Sequence, residues 1–257
     1  MAPEAADAGP PAVEAVNEAG RSAILLTCDH ASNLIPDSYG GLGLGPDDLA
    51  RHIAWDIGAA AVARRLARRL DAALFLSGYS RLLIDCNRPP GSPGSVVGLS
   101  EATAIPGNRG LDAAERARRE ERFFRPYHGR IAAHLDERRA AGRPTVLISM
   151  HSFTPRYLGE DRPWHAGVLF DRAAGLGHRL VAILRRRPEL VIGENQPYQI
   201  TRDGDYTVPV HGDDRGIPAL LLELRQDLIA DEAGAERWAA LLAPALVEAA
   251  GQEATAR

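Results

Sequence analysis

The chain has 257 residues, 45% of them hydrophobic and 25% charged, with a formal net charge of −4. That length suits one large α/β domain, and the composition is that of a soluble globular protein rather than a fibrous or disordered one. No apolar run reaches the length of a membrane-spanning helix and no basic stripe runs along the chain, so neither a membrane nor a nucleic-acid partner is expected.

Residues 1–20 are rich in Ala, Pro and Glu. They lack a basic start followed by an apolar core, and read as a disordered leader rather than a signal peptide. Residues 23–28 read as a buried strand. Pro46, with Asp47 and Asp48 beside it, signals a helix start, and the pattern predicts a helix over residues 47–69 with Ile53, Ile57, Val62 and Leu66 inward. Residues 73–76 and 81–85 read as strands. Residues 86–110, rich in Pro and Gly, read as a long irregular loop, functional or disordered. Asp112 and Glu115 resemble a capping box opening a helix to about residue 140. Further strands are read at 145–150, 166–170, 190–192 and 219–224. Helices are read at 173–187 and 232–249, with polar loops at 151–165 and 196–216. The alternation argues for an α/β fold in one domain, residues 21–250, with 251–257 as a tail. Cys28 and Cys86 read as buried thiols of a reducing cytoplasm.

Two histidines stand where apolar strands end: His30 in Asp29-His30-Ala31-Ser32-Asn33, and His151 in Ser149-Met150-His151-Ser152. Ligand sites form at the carboxyl ends of strands in open α/β sheets, so two imidazoles meeting over one divalent metal are expected. A hydrolytic metal site commonly adds a third protein ligand. His52 and Asp56, four apart on the expected helix, are the local candidates; Asp56 lies in an apolar patch, where a carboxylate needs a partner. Asp29 is better placed behind the metal than on it. Glu223 interrupts the apolar run 219–224. It reads either as a buried acid paired with Arg225 or as a general base for the attacking water. Asn87 and Arg88 precede Pro89-Pro90, and an arginine so fixed either grips a carboxylate or anchors its own loop.

Taken together, these stretches resemble the N-formylglutamate amidohydrolase family, related in outline to zinc carboxypeptidases and aspartoacylases. The resemblance runs from Leu25 to about Asp227. It is carried by Asp29 to Asn33, His52-Ile53-Ala54-Trp55-Asp56-Ile57-Gly58, Ser80 to Pro89, Pro126-Tyr127-His128, His151 to Pro155, Asn195 to Tyr198 and Leu222 to Asp227. It implies a phosphorylase/hydrolase-like domain, a mixed central sheet flanked by helices. It also implies one divalent metal, zinc, held by His30, Asp56 and His151, with Asn33 as the alternative middle ligand. Glu223 matches the catalytic glutamate, and Asn87 and Arg88 match a pair that holds the substrate. On this reading Arg81 and Arg225 bind further carboxylates or orient Glu223, and His211 enters the pocket or braces its loop. The reaction implied is N-formyl-L-glutamate and water to formate and L-glutamate. Another N-acyl amino acid or a small peptide is the alternative substrate, and a non-catalytic metal- or ligand-binding protein the alternative class.

Overall fold

A computed structural model describes residues 9–254. Seven strands form one mixed sheet: β1 (Val13–Val16), β2 (Ile24–Cys28), β3 (Ala73–Ser77), β4 (Val146–Phe153), β5 (Ala166–Leu169), β6 (Ile192–Glu194) and β7 (Ala219–Arg225). Their order is β1-β3-β2-β4-β7-β5-β6. The four central strands run parallel, while β1 and the β5–β6 pair run against them. The chain steps outward from β2 to β3, then crosses back to lay β4 on the other side of β2. That reversal opens a crevice beyond the carboxyl ends of β2 and β4, where a ligand site is expected in such sheets.

The helices are α1 (Pro46–Leu49), α2 (Ala59–Leu70), α3 (Ala113–Arg119), α4 (Arg125–Ala140), α5 (Ala174–Leu184) and α6 (Glu232–Ala254). A π-helical turn, Glu120–Phe124, joins α3 to α4. Alternation along each strand divides the core in two. Ile24, Leu26, Val146, Ile148, Leu220 and Leu222 face α2, α5 and α6. Leu25, Leu147 and Leu221 face α4. Extending the second series by period two reaches Thr27 and Asp29, Ser149 and His151, and Glu223. Asp29, Ser149, His151 and Glu223 thus continue the apolar rows below them, while His30 stands in the turn just past β2.

Several expected elements differ. The 47–69 helix is broken: α1 is a single turn, and α2 begins only at Ala59. Between them Asp56 N–H donates to His30 O (3.0 Å), and Gly58 takes a left-handed φ of 80°. A Cβ there would lie 2.2 Å from Ile229 O, so only glycine permits the approach. His52 and Asp56 therefore do not share a helix face. Residues 81–85 form turns, not a strand; Leu82, Leu83 and Ile84 are apolar because they pack into the α4-side core. The strand expected at 145–150 runs on to Phe153, so His151 lies inside a paired strand, in register with Glu223. Within the expected leader, β1 pairs with β3; residues 1–8 lie outside the described residues. The last helix continues to Ala254, into the expected tail, and residues 255–257 lie outside the description. Asp112 does cap α3, accepting from Glu115 N–H at 2.7 Å.

Candidate active site

The crevice is a cavity of about 560 Å³ lined by His30, Asp56, Arg81, Arg88, His151 and Glu223 among others. The end of β2 supplies His30, β4 supplies His151 and β7 supplies Glu223. The break before α2 turns Asp56 inward beneath both imidazoles, whose ring centroids are 4.9 Å apart. One ligand atom from each of His30, Asp56 and His151 lies within 4.8 Å of the other two, and all three residues are buried.

Each imidazole is held by a different carboxylate on its outer side. His30 Nε2 lies 2.7 Å from Asp85 Oδ1, and His151 Nε2 lies 3.0 Å from Asp29 Oδ2. An ionised carboxylate only accepts, so both Nε2 atoms carry the proton. The opposite nitrogens converge: His30 Nδ1 and His151 Nδ1 lie 3.3 and 2.8 Å from Asp56 Oδ2. Burial opposes a charge on His151, but the hydrogen bonds to Asp29 and Asp56 outweigh it and hold its pKa well above the usual value.

The supporting acids are themselves fixed. Asp29 accepts from Tyr127 OH and Thr207 OH at Oδ1 (2.8 Å each), and from Ser149 OH at Oδ2 (2.9 Å). Burial would raise its pKa, yet the hydrogen bond and charge of His151 keep it well below the usual range. Asp85 accepts Arg81 Nε and Nη2 (3.0 and 2.6 Å) and Asn87 N–H (2.8 Å). Burial again works against ionisation, and Arg81 and His30 overcome it. The role suggested for Asp29 behind a histidine agrees with this geometry. Asp85, Tyr127, Thr207 and Ser149 were not singled out from the sequence as support for the imidazoles. An acid before Asn87-Arg88 was a usable signal for Asp85, and Pro126-Tyr127-His128 within the family resemblance was one for Tyr127; Thr207 carries none, because nothing local links it to Asp29.

Glu223 is the acid without a settled partner. Its side chain is buried and Oε2 has no hydrogen bond. Burial lifts its pKa to about 7, with His151 opposing and Asp56 assisting. Gly167 lies opposite it on β5, and the close approach it permits is that of Gln196 O, 1.9 Å from where a Cβ would stand. Arg88 lines the cavity with Nη1 on Asn87 O (2.9 Å) and Asp205 Oδ1 (3.3 Å). Arg81 also lines it, committed to Asp85 and 3.6 Å from Asp56 Oδ1.

Other candidates stand apart. Asn87 touches the cavity, but its amide is engaged: Nδ2 donates to Asp205 Oδ1 (3.0 Å), and Oδ1 accepts from Tyr206 and Thr207 N–H (3.1 and 3.0 Å). Its visible work is to brace the loop that carries Thr207. Arg225 does not line the cavity. It pairs with Asp227 (2.8 Å) rather than with Glu223. His211 also stays out, buried against His128 with Nε2 to Nδ1 at 2.9 Å, so the loop-bracing alternative is the one the geometry matches. Asn33 turns away to donate to Leu49 O (2.9 Å), which leaves Asp56 between the histidines. His52 lines the outer wall with Nε2 3.2 Å from Glu101.

Comparison with known proteins follows the same lines. The sequence profile of the N-formylglutamate amidohydrolase family matches residues 22–230. The chain belongs to the N-formylglutamate amidohydrolase family. A gene product of Agrobacterium tumefaciens of known crystal structure is 39% identical, covers 95% of this chain and 96% of its own, and superposes with a TM-score of 0.91. N-formylglutamate amidohydrolase from Ralstonia eutropha has the same fold, with a TM-score of 0.72 at 20% identity over 93% of this chain and 97% of its own. N-formylglutamate deformylase of Pseudomonas putida is 38% identical over 96 residues, 34% of this chain. That match spans 36% of the curated relative's length.

In this family member the donor set suits a small divalent cation. Two imidazole nitrogens and a carboxylate oxygen converge, and a carboxylate behind each imidazole fixes its tautomer. Asp29, Asp56 and Asp85 are buried and held ionised here beside Arg81 and a His151 that keeps its proton. A cation held by the Nδ1 atoms and Asp56 would take the place of that proton. Cys28 and Cys86 are buried free thiols, and burial pushes both pKa values up, which suits packing rather than ligation.

Proposed function

We propose that the chain is a metal-dependent amidohydrolase that removes the formyl group, or another acyl group, from an N-acylated amino acid. N-formyl-L-glutamate, giving formate and L-glutamate, is the leading substrate. His30 and His151 through Nδ1, with Asp56, would hold the metal, which we take to be zinc. When bound, it would polarise the acyl carbonyl and lower the pKa of water.

The chain's own residues supply the rest. Glu223 takes a proton from the attacking water and returns it to the amine nitrogen as the carbon–nitrogen bond breaks. A carboxyl with a pKa near neutrality and a bare oxygen suits both transfers. Arg88 faces the cavity on a loop pinned by Asp205, and orients the substrate's carboxylate or its developing oxyanion. Arg81 does not meet the substrate in this scheme; it keeps Asp85, and through it His30, in place. One observation carries the reading: both Nδ1 atoms face Asp56 while both Nε2 atoms are taken up by other carboxylates, beside an acid that can carry a proton. Buried free thiols support a cytoplasmic setting.

The test is a panel of N-formyl, N-acetyl and N-succinyl amino acids, assayed with wild type and Glu223→Gln. Wild type should release acid from at least one class. Glu223→Gln should keep its metal and lose turnover by about 10²–10⁴-fold. Native turnover in that variant would remove Glu223 from the mechanism, and a metal-loaded protein inert across the panel would favour a binding protein.

A further inference from the structure

The opposite edge of the sheet, where β2, β4 and β7 begin, carries a second cavity of about 380 Å³. Leu135, Val146 and Ile217 supply its apolar wall. Arg139, Arg143 and Arg215 line it too, and among the described residues no acid does. Directly behind lies Arg138, only 2% exposed. Its Nε donates to Thr145 Oγ1 (2.8 Å), and its Nη2 to the carbonyls of Pro144 (2.8 Å), Ser22 (2.9 Å) and Ala23 (3.3 Å). Ala23, Pro144 and Thr145 are themselves cavity residues, so this guanidinium sits one layer beneath the wall.

Arg138 Nη1 is buried with no partner, and among the described residues no carboxylate pairs with Arg138. Burial and the charge of Arg143 bring its pKa down to about 10. Arg143 has a carbonyl partner, Gly20 O at 2.6 Å. Arg139 and Arg215 share one carboxylate, Asp136 Oδ1 at 2.9 and 2.8 Å, and Asp136 does not line the cavity. Three arginines thus line an apolar-walled space with, among the described residues, one acid at its rim, and the buried Arg138 adds its charge from behind the wall. A guanidinium fork matches a carboxylate.

We propose that this cavity binds a small organic carboxylate, its charged group on Arg143 and Arg215 and its apolar body on Leu135, Val146 and Ile217. The site is separate from the catalytic crevice and does not depend on the reaction assigned there.

Titration calorimetry of the full, metal-loaded chain tests it, with hexanoate as probe and hexan-1-ol and inorganic phosphate as comparisons. Hexanoate should bind at least about tenfold more tightly than either, since only it offers both charge and tail. Arg143→Gln with Arg215→Gln should weaken hexanoate by at least about tenfold. Arg88→Gln, in the catalytic crevice, should leave it within about twofold of wild type. Equal affinity for hexan-1-ol or for phosphate would overturn the proposal. So would loss of binding in Arg88→Gln, or unchanged binding in the double variant. Should the double variant fail to fold, the comparison of probes on wild type decides.

Discussion

Replacing Asp29 by Asn keeps size and shape but changes which side of the group can accept. In wild type each oxygen takes two donors: Tyr127 and Thr207 hydroxyls on one, Ser149 hydroxyl and His151 Nε2–H on the other. An amide has two orientations. With its nitrogen toward Tyr127 and Thr207, both hydroxyl protons lose their acceptor, at about 1–3 kcal/mol each in a buried site. With its nitrogen toward His151, the imidazole moves its proton to Nδ1 and accepts at Nε2. The amide N–H can then donate to Ser149 Oγ, which in turn donates to Nε2, 3.1 Å away. The second orientation orphans no hydroxyl and is the one expected. It places a proton on the atom that faces Asp56, the atom assigned to the metal. Loss of such outer support ordinarily costs about 10–100-fold in metal affinity, or about 1.4–2.7 kcal/mol, and here the wrong tautomer puts the effect at the upper end. The assay is competition for zinc against a chromogenic chelator, with circular dichroism to show that the variant is folded. A folded Asp29→Asn protein that binds zinc as tightly as wild type would refute the assignment of Nδ1 as the ligand atom.

Acid sensitivity should come first from the buried His128–His211 pair. Burial lowers their pKa values to about 4 and about 3, so the folded protein keeps them neutral while the unfolded chain binds protons from about pH 6.5 downward. The stability they contribute is intact above pH 6.5 and falls as pH drops toward 4. Urea unfolding at pH 6.5 and pH 5 should show a loss of about 2 kcal/mol per imidazole, and His211→Leu should remove one share of that slope; a flat profile would contradict it. Asn33→Ala removes only a hydrogen bond to Leu49 O, so it should cost about 1 kcal/mol in urea unfolding and leave zinc affinity unchanged. A loss of zinc in that variant would return Asn33 to the ligand set.

How much of the site was legible depended on whether the signal was local. His30 and His151 stood out because each follows an apolar strand, and Glu223 because it breaks one. Asp56 was noticed for its apolar neighbours but placed on the wrong element. Its turn exists because Gly58 fits against Ile229, a contact 171 positions away. Residues 81–85 misled for a related reason. A short apolar run marks burial, and here Ser80 folds it into turns by donating to Ala54 O and accepting from Leu82 N–H. β1 looked like leader because its composition is that of disordered chain, and only pairing with β3 makes it a strand. Arg225 was tied to Glu223 by proximity in sequence, yet Asp227 is the closer acid once the strand ends. The residue hardest to foresee, Thr207, opens a π-helical turn and meets Tyr127, 80 positions earlier on α4, at Asp29.

In the proposed mechanism His30, Asp56 and His151 hold a divalent cation on which hydrolysis depends. The direct measurement is metal content of the purified chain together with formate release from N-formyl-L-glutamate, before and after chelation. About one zinc per chain is expected, with activity lost on chelation, restored by added zinc, and both metal and activity absent from His30→Ala and His151→Ala. Undiminished formate release from fully metal-free protein, or full zinc occupancy in both histidine variants, would contradict it.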